Sequence, residues 1–186
     1  MVLNYLDAVE KFSHENLEYY KEHLIQLVKI RSISPGVTDK TEFFNVLRAI
    51  GKITASMGFK NHIIETKGNP VIIAQLERDP QLPWVTIYNH LDVQPADEPQ
   101  WVTKPFEPVV TDEKIIARGS TDDKGPALAV LYGMKCLIDN DIPSPNLQII
   151  YETEEEIGSP FFGQFLDDHL NILKKPDSIL VSDTVF

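Results

Sequence analysis

Acidic clusters follow the ends of apolar, strand-like runs in this chain. Open α/β sheets collect their chemistry beyond the carboxyl ends of their strands, so residues from separate segments can meet at one edge. Three runs are followed by such a cluster: Trp84–Tyr88 by Asn89-His90-Leu91-Asp92, Leu147–Tyr151 by Glu154-Glu155-Glu156, and Ile179–Ser182 by Asp183. A fourth polar element, Ser120–Gly125, opens a predicted helix.

Strand-like and helical patterns alternate along the chain. This alternation predicts an α/β fold, a three-layer αβα arrangement with a largely parallel central sheet covered on both faces. Residues 1–186 show no repeat or linker, and we expect them to form one unit. Helical spacing predicts helices near residues 17–28, 43–57, 126–140 and 161–169. Strands are predicted at residues 63–64, 71–76, 84–88, 147–151 and 178–182, with a short hairpin near residues 109–116.

Composition excludes several classes of partner. The 186 residues include 17 Lys+Arg against 28 Asp+Glu, a formal net charge of -11, without a basic stripe. This argues against nucleic acid and against an anionic membrane as partners. A single cysteine, Cys136, rules out a disulfide within the chain, and no apolar run has the length of a membrane span. We expect a reducing, cytoplasmic setting.

Each polar cluster has an ordinary structural explanation when taken alone. A histidine such as His90 after a strand is more often hydrogen-bonded than a ligand, and Asp122-Asp123 could simply cap a helix. Asp92, two positions after His90, lies on the same side of an extended backbone and could orient the imidazole ring. Three adjacent glutamates usually form a solvated turn.

The conjunction of the clusters favours a metal site. The intervals between successive members of the series His90, Asp122, Glu156 and Asp183 each match the length of one strand–helix unit. Such units would bring one imidazole and three carboxylates to one edge of the sheet. This ligand set suits Zn²⁺, Mn²⁺ or Co²⁺. Two such ions need a bridging carboxylate, and a carboxylate beside a ligand can act as the base.

The motifs resemble those of the co-catalytic zinc metallopeptidases. That family includes aminoacylase, glutamate carboxypeptidase, acetylornithine and succinyl-diaminopimelate deacylases and carnosinase-type dipeptidases, and residues 90–108 look most like the last of these. The two N-terminal helices also fit, so the resemblance covers essentially the whole chain. It rests on His90–Ala96, Trp101, Pro105–Pro108, Arg118–Pro126 and Glu154–Ser159.

The resemblance implies a role for each candidate residue. His90 and Asp183 would bind one ion, Asp122 would bridge, and Glu156 would bind the second ion. Glu155 would be the general base for a water activated by two divalent ions, Zn²⁺ foremost. Two further implications are that Asp92 orients His90 and that the peptide bond between Asp122 and Asp123 is cis.

Three positions depart from the family's usual residues, and none of them removes a ligand. Asn89, Ala117 and Thr153 stand where glycine is frequent. They put the subfamily in question more than the chemistry.

The family also uses parts that this sequence lacks. These are a downstream histidine for the second ion and a lid domain with dimer contacts, an oxyanion histidine and groups that hold the substrate carboxylate. The remaining histidines, His14, His23, His62 and His169, have the pattern of ordinary surface residues. We therefore expect an N-terminal portion of a catalytic domain, with partial metal loading and little peptidase activity by itself.

Three functions remain open from the sequence. The leading one is hydrolysis of the amide bond of dipeptides or N-acyl amino acids. A two-metal phosphoesterase is a second, although only Lys124 and Arg118 are candidates to hold a phosphate. The third is a non-catalytic α/β fragment.

Overall fold

The structure, a computed structural model, describes residues 5–183. Its helices in this range are α1 (Tyr5–Val28), α2 (Thr41–Ser56), α3 (Lys124–Asp139) and α4 (Phe162–Asp168), with a single 3₁₀ turn at Glu155–Ile157. Its strands are β1 (Lys60–Ile64), β2 (Val71–Leu76), β3 (Trp84–His90), β4 (Val109–Val110), β5 (Ile115–Ile116), β6 (Asn146–Glu152) and β7 (Ser178–Val181). The predicted elements are thus present, most with ends displaced by a few residues, but α1 begins at Tyr5, about three turns before the predicted start.

Five strands form one sheet in the order β1-β2-β6-β3-β7, while β4 and β5 pair as a separate hairpin. Strand β3 runs parallel to both β6 and β7. Strands β1 and β2 pair with each other antiparallel, and β2 is also antiparallel to β6. The α/β class is confirmed. The antiparallel edge is an addition that periodicity does not reveal, since a short connection lets β2 turn back beside β1.

Alternate residues of the strands face two different layers. On β2, Ile72 and Ala74 join the main core with helices α1, α2 and α3. Val71 and Ile73 of the same strand instead pack against Phe165 of α4 on the opposite face. This period of two confirms the three-layer arrangement. Cys136 of α3 is buried in the main core.

The second face of the sheet is only partly covered. Helix α4 packs over β2 and β6, and beside it an apolar hollow of about 700 Å³ lies over Tyr88 and Val181. The outermost strand β7 is exposed along its length, with Ile179 retaining 65% of its accessible surface. The expected cover on both faces is therefore incomplete within residues 5–183.

No helix in the described part of the chain is both long enough and apolar enough to cross a membrane. The longest, α1, instead packs its buried residues against α3 within the main core. Helix α1 is therefore part of the helical layer that covers one face of the sheet.

The turn that leads into α3 depends on a close backbone approach. Gly125 lies in the first turn of α3, and a Cβ atom added there would lie 2.0 Å from the carbonyl oxygen of Ser120. Gly119, at the start of the turn, has a φ of 84°, which L side chains rarely adopt. These two glycines allow the Ser120–Gly125 segment to fold tightly against the sheet edge.

The two α3 glycines predict opposite effects of alanine on stability. Gly125→Ala should lower the free energy of unfolding by about 1–3 kcal/mol, because the new methyl group meets backbone. Gly133→Ala should raise it by about 0.5–1 kcal/mol, because helical glycine costs backbone entropy and open space surrounds that site. Urea denaturation followed by circular dichroism measures both. Equal effects of the two substitutions would contradict this account of the turn.

Candidate metal centre

Parallel strands bring three polar segments to one edge of the sheet. His90 is the last residue of β3, and the 3₁₀ turn Glu155–Ile157 follows β6 after a gap of two residues. Asp183 lies two residues beyond β7, the other neighbour of β3. Asp122 precedes α3 and reaches the same edge. The predicted convergence of these segments is therefore present in the fold.

His90, Asp122 and Asp183 form a compact group of possible ligands. Their ligand atoms all lie within 4.8 Å of one another. The Nε2 atom of His90 is 3.0 Å from Asp122 Oδ1 and 3.8 Å from Asp183 Oδ2. The imidazole is fully buried, whereas the two aspartate side chains are 41% and 28% exposed. An ion held here would thus be anchored from inside and reachable from solvent.

Asp92 ties the imidazole to the glutamate turn. Its Oδ1 lies 3.3 Å from His90 Nδ1, on the side of the ring away from the other carboxylates. The same carboxylate accepts hydrogen bonds from the backbone N–H groups of Glu155 (3.2 Å) and Glu156 (3.1 Å). Ser34 donates a further hydrogen bond of 2.6 Å to Oδ2. Asp92 is fully buried, so these donors replace the water it has lost.

The three consecutive glutamates have different surroundings. Glu154 is buried and accepts a 2.7 Å hydrogen bond from the backbone N–H of Asn69, which makes it a structural residue. Glu155 places Oε2 3.8 Å from His90 Nε2, with 39% of its side chain exposed. Glu156 lies outside the three-residue ligand group and is held by Gln94.

Crowded negative charge shifts the pKa values at this edge. Burial alone lowers the pKa of His90, but the adjacent Asp92, Asp123 and Glu155 outweigh it and raise the value to about 10. Burial raises the pKa of Glu155, and the neighbouring carboxylates add to the effect. Without an ion, protonated His90 therefore balances part of the negative charge. Because a metal requires the neutral ring, metal and proton compete for His90.

A hydrogen-bond network behind the ligands was not apparent from the sequence. Asp123 occupies the N-cap position of α3, but its side chain does not cap the helix. It instead accepts hydrogen bonds from Asn89 Nδ2 (2.8 Å) and from the backbone N–H of His90 (3.0 Å). Asn89 also donates 2.6 Å to the carbonyl of Ser182. The network links β3, α3 and β7 behind the ligand group, and the Asp122–Asp123 peptide bond is cis.

Two of the residues that depart from the family pattern have structural partners of their own. Asn89 takes part in the network that links three ligand-bearing segments. Thr153 donates a 2.7 Å hydrogen bond to the carbonyl of Pro70 and so fastens the end of β6 to the loop before β2. Both side chains are fully buried, so they add polar contacts that glycine cannot make.

The two cations predicted near the site are engaged elsewhere. Lys124 is fully buried and donates to the carbonyl oxygens of Leu27 (3.1 Å) and Ile30 (2.8 Å), at the end of α1. Arg118 donates to the carbonyl oxygen of Pro95 and to Glu98 Oε1, both at 2.9 Å. Neither side chain presents its charge to the ligand group, which weighs against phosphate recognition.

The remaining histidines do not join the ligand group among the described residues. His23 Nδ1 lies 2.9 Å from the hydroxyl of Tyr132, between α1 and α3. His169 Nδ1 lies 2.8 Å from the carbonyl of Phe165, in its own helix. His169 thus belongs to the α4 layer.

The donor set fits a divalent ion of intermediate hardness. One imidazole nitrogen and two carboxylates place their ligand atoms within 4.8 Å of one another. Asp92 Oδ1 lies 3.3 Å from the other ring nitrogen, and a carboxylate on that side is typical of metal-binding histidines. The residues present therefore suit Zn²⁺, Mn²⁺ or Co²⁺.

Comparison with known proteins agrees with this geometry. Over 121 residues the chain is 37% identical to the Beta-Ala-His dipeptidase of Rattus norvegicus, covering 63% of this chain and 24% of that protein. It is 36% identical over 199 residues to the Cys-Gly metallodipeptidase of Schizosaccharomyces pombe, with coverage of 96% and 40%. The structure of human carnosine dipeptidase 1 superimposes with a TM-score of 0.87 at 27% identity, over 97% of this chain and 42% of that one.

The chain thus spans less than half the length of these relatives. The family model described as Peptidase family M20/M25/M40 matches residues 86–182, which is more than half of the chain. That stretch includes most of β3, the turn before α3, the glutamate turn and β7. On this match and these relatives, the chain belongs to Peptidase family M20/M25/M40.

Proposed function

We propose that this chain supplies the metal-binding and water-activating residues of a metal-dependent dipeptidase. One observation carries the proposal: His90, Asp122 and Asp183 place their ligand atoms within 4.8 Å of one another. Glu155 extends to the same place, 3.8 Å from His90 Nε2. A base beside a group of ligands is the arrangement that hydrolysis by an activated water requires.

Two divalent ions, most simply Zn²⁺, account for all the candidate ligands. His90 and Asp183 would hold the first ion, and Asp122 would serve both ions. Glu156, outside the three-residue group, binds the second ion. Support for this division comes from the separation of Glu156 from the compact group and from the exposure of the bridging carboxylate, which is open to a second partner.

Glu155 is the general base in this proposal. When bound, the ions polarise the scissile carbonyl and lower the pKa of a nearby water. Glu155 takes the proton from that water and passes it to the leaving amine nitrogen. Burial and neighbouring carboxylates raise the pKa of Glu155, which brings its basicity closer to neutral pH. Asp92 acts indirectly, since it orients both His90 and the backbone of Glu155.

Dipeptides are the substrate class we propose. The relatives named above are dipeptidases of Beta-Ala-His and Cys-Gly, and the second of them matches 96% of this chain. N-acyl amino acids carry the same amide chemistry and belong in the substrate panel. A phosphate ester lacks a cationic partner here, because Lys124 and Arg118 bond to backbone and Glu98.

Metal uptake tests the ligand assignment. Asp122→Asn should weaken binding of Zn²⁺ by more than the roughly 10–100-fold typical for loss of a group that only supports a ligand. The matched control is Asp112→Asn in the exposed hairpin turn, which should bind as the unaltered chain does. Isothermal titration calorimetry gives the affinities and the number of ions. Failure of the unaltered chain to bind any divalent ion would favour the non-catalytic alternative.

Turnover tests the role of Glu155. In a preparation that hydrolyses dipeptides, Glu155→Gln should lower kcat/KM for a dipeptide panel by about 10²–10⁴-fold, the usual contribution of a general base. Metal affinity should persist, because Glu155 is not among the assigned ligands. Glu113→Gln, on the exposed hairpin, serves as the matched control. Activity that stays within a few-fold of the unaltered enzyme would refute the assignment.

A further inference from the structure

Glu156 requires a separate explanation for its position. It lies in a 3₁₀ turn of three residues, and its side chain is partly exposed. The backbone N–H of Glu156 is fixed by Asp92 Oδ2 at 3.1 Å, but that contact leaves the carboxylate free to rotate. Another residue must therefore set the direction in which this carboxylate points.

Gln94 makes three hydrogen bonds to Glu156. Its side-chain Nε2 donates to Glu156 Oε2 at 2.9 Å and to the carbonyl oxygen of Glu156 at 2.8 Å. Its backbone N–H donates to Oε1 at 3.2 Å. The one amide group therefore fixes the main chain and the side chain of Glu156 together.

The segment that carries Gln94 is itself firmly held. Leu91 N–H donates to the carbonyl of Glu152 at 2.9 Å, and Val93 N–H donates to the carbonyl of Ser32 at 2.9 Å. Val93 is fully buried and pairs in a parallel bridge with Ile33. A side chain anchored on such a segment has a defined position, and so has the group it binds.

His90, Asp92 and Gln94 form an alternating series on this segment. An extended backbone directs every second side chain to the same side. His90 faces the three-residue ligand group, Asp92 holds the imidazole and the glutamate turn, and Gln94 holds Glu156. The spacing of two therefore aligns one supporting residue with each half of the proposed two-ion site.

The chemistry of the contact leaves Glu156 able to bind an ion. A carboxylate offers about four lone-pair positions, and Gln94 uses two of them. The amide is neutral, so it directs the carboxylate without cancelling the negative charge that attracts a cation. A lysine or arginine in its place would form an ion pair and compete with the metal.

We propose that Gln94 is a positioning residue that presents Glu156 to the second divalent ion. The inference rests on the proposed function, because Glu156 is assigned there as a ligand of that ion. Gln94 does not touch the ion. It holds the carboxylate in place before the ion arrives, which lowers the cost of ordering on binding.

The test is a Co²⁺ titration of the 186-residue chain, monitored by calorimetry and visible absorption. Because only partial loading is expected at low metal concentration, the titration continues to a large excess of Co²⁺. Gln94→Met keeps the side-chain length but removes both amide donors. It should weaken the weaker binding event by roughly 10–100-fold, as loss of a supporting hydrogen bond does, and leave the stronger event unchanged. Gln100→Met, at an exposed position of the same loop region, should change neither event.

A double-variant cycle separates positioning from damage to the fold. Glu156→Gln should weaken the same binding event, and adding Gln94→Met to it should cause no further loss, since the two residues act through one contact. Additive losses, equal weakening of both events, or no effect of Gln94→Met on the weaker event would each overturn the inference.

Two other outcomes concern the proposed function. Absence of any Co²⁺ uptake by the unaltered chain removes the metal site, and the role of Gln94 with it. Uptake of one ion alone, or of two ions with Glu156→Gln having no effect, leaves the first site intact but overturns the assignment of Glu156 and Gln94. The pattern of affinities thus distinguishes failure of the inference from failure of the function.

Discussion

A single buried carboxylate, that of Asp92, connects the parts of the candidate site. It lies close to the imidazole of His90 and accepts hydrogen bonds from the backbone N–H groups of Glu155 and Glu156. Ser34, in the connection between α1 and α2, donates a further hydrogen bond to it. A buried charge of this kind is tolerated only when donors surround it. Because its partners come from three segments, the relative positions of β3, the glutamate turn and the α1–α2 connection all depend on it.

Negative charge is concentrated at the same edge of the sheet. The chain has a formal net charge of -11, and several of its carboxylates meet around one imidazole. Mutual repulsion opposes this arrangement. Burial lowers the pKa of His90, but the surrounding carboxylates favour the protonated ring and raise its pKa to about 10, while the pKa of Asp123 is raised to about 7. In Asp123 the main cause is burial. A divalent cation is the natural partner for such a site, since it relieves repulsion that hydrogen bonds only reduce.

Cavity size is a poor guide to the chemistry of this fold. The hollow of about 700 Å³ lies on the face of the sheet beside α4 and is lined mainly by apolar side chains. The ligand group lies instead at the edge where the parallel strands β6, β3 and β7 end. Chemistry collects at that edge because loops leave the strands there, and loops can present polar side chains without burying unpaired backbone.

Local pattern was enough to predict the elements, the α/β class and three residues that lie together at the sheet edge, His90, Asp122 and Asp183. Hydrophobic periodicity reflects neighbours along the chain, and the acidic clusters stand directly after the strands that carry them. Pairing was decided by the tertiary structure. Strand β6 lies between β2 and β3, and β1 and β2 run antiparallel. The supporting contacts of Ser34 with Asp92 and of Gln94 with Glu156 join residues 58 and 62 positions apart. Contacts of that range arise only when separate elements pack, because nothing in the local sequence around either residue specifies its partner.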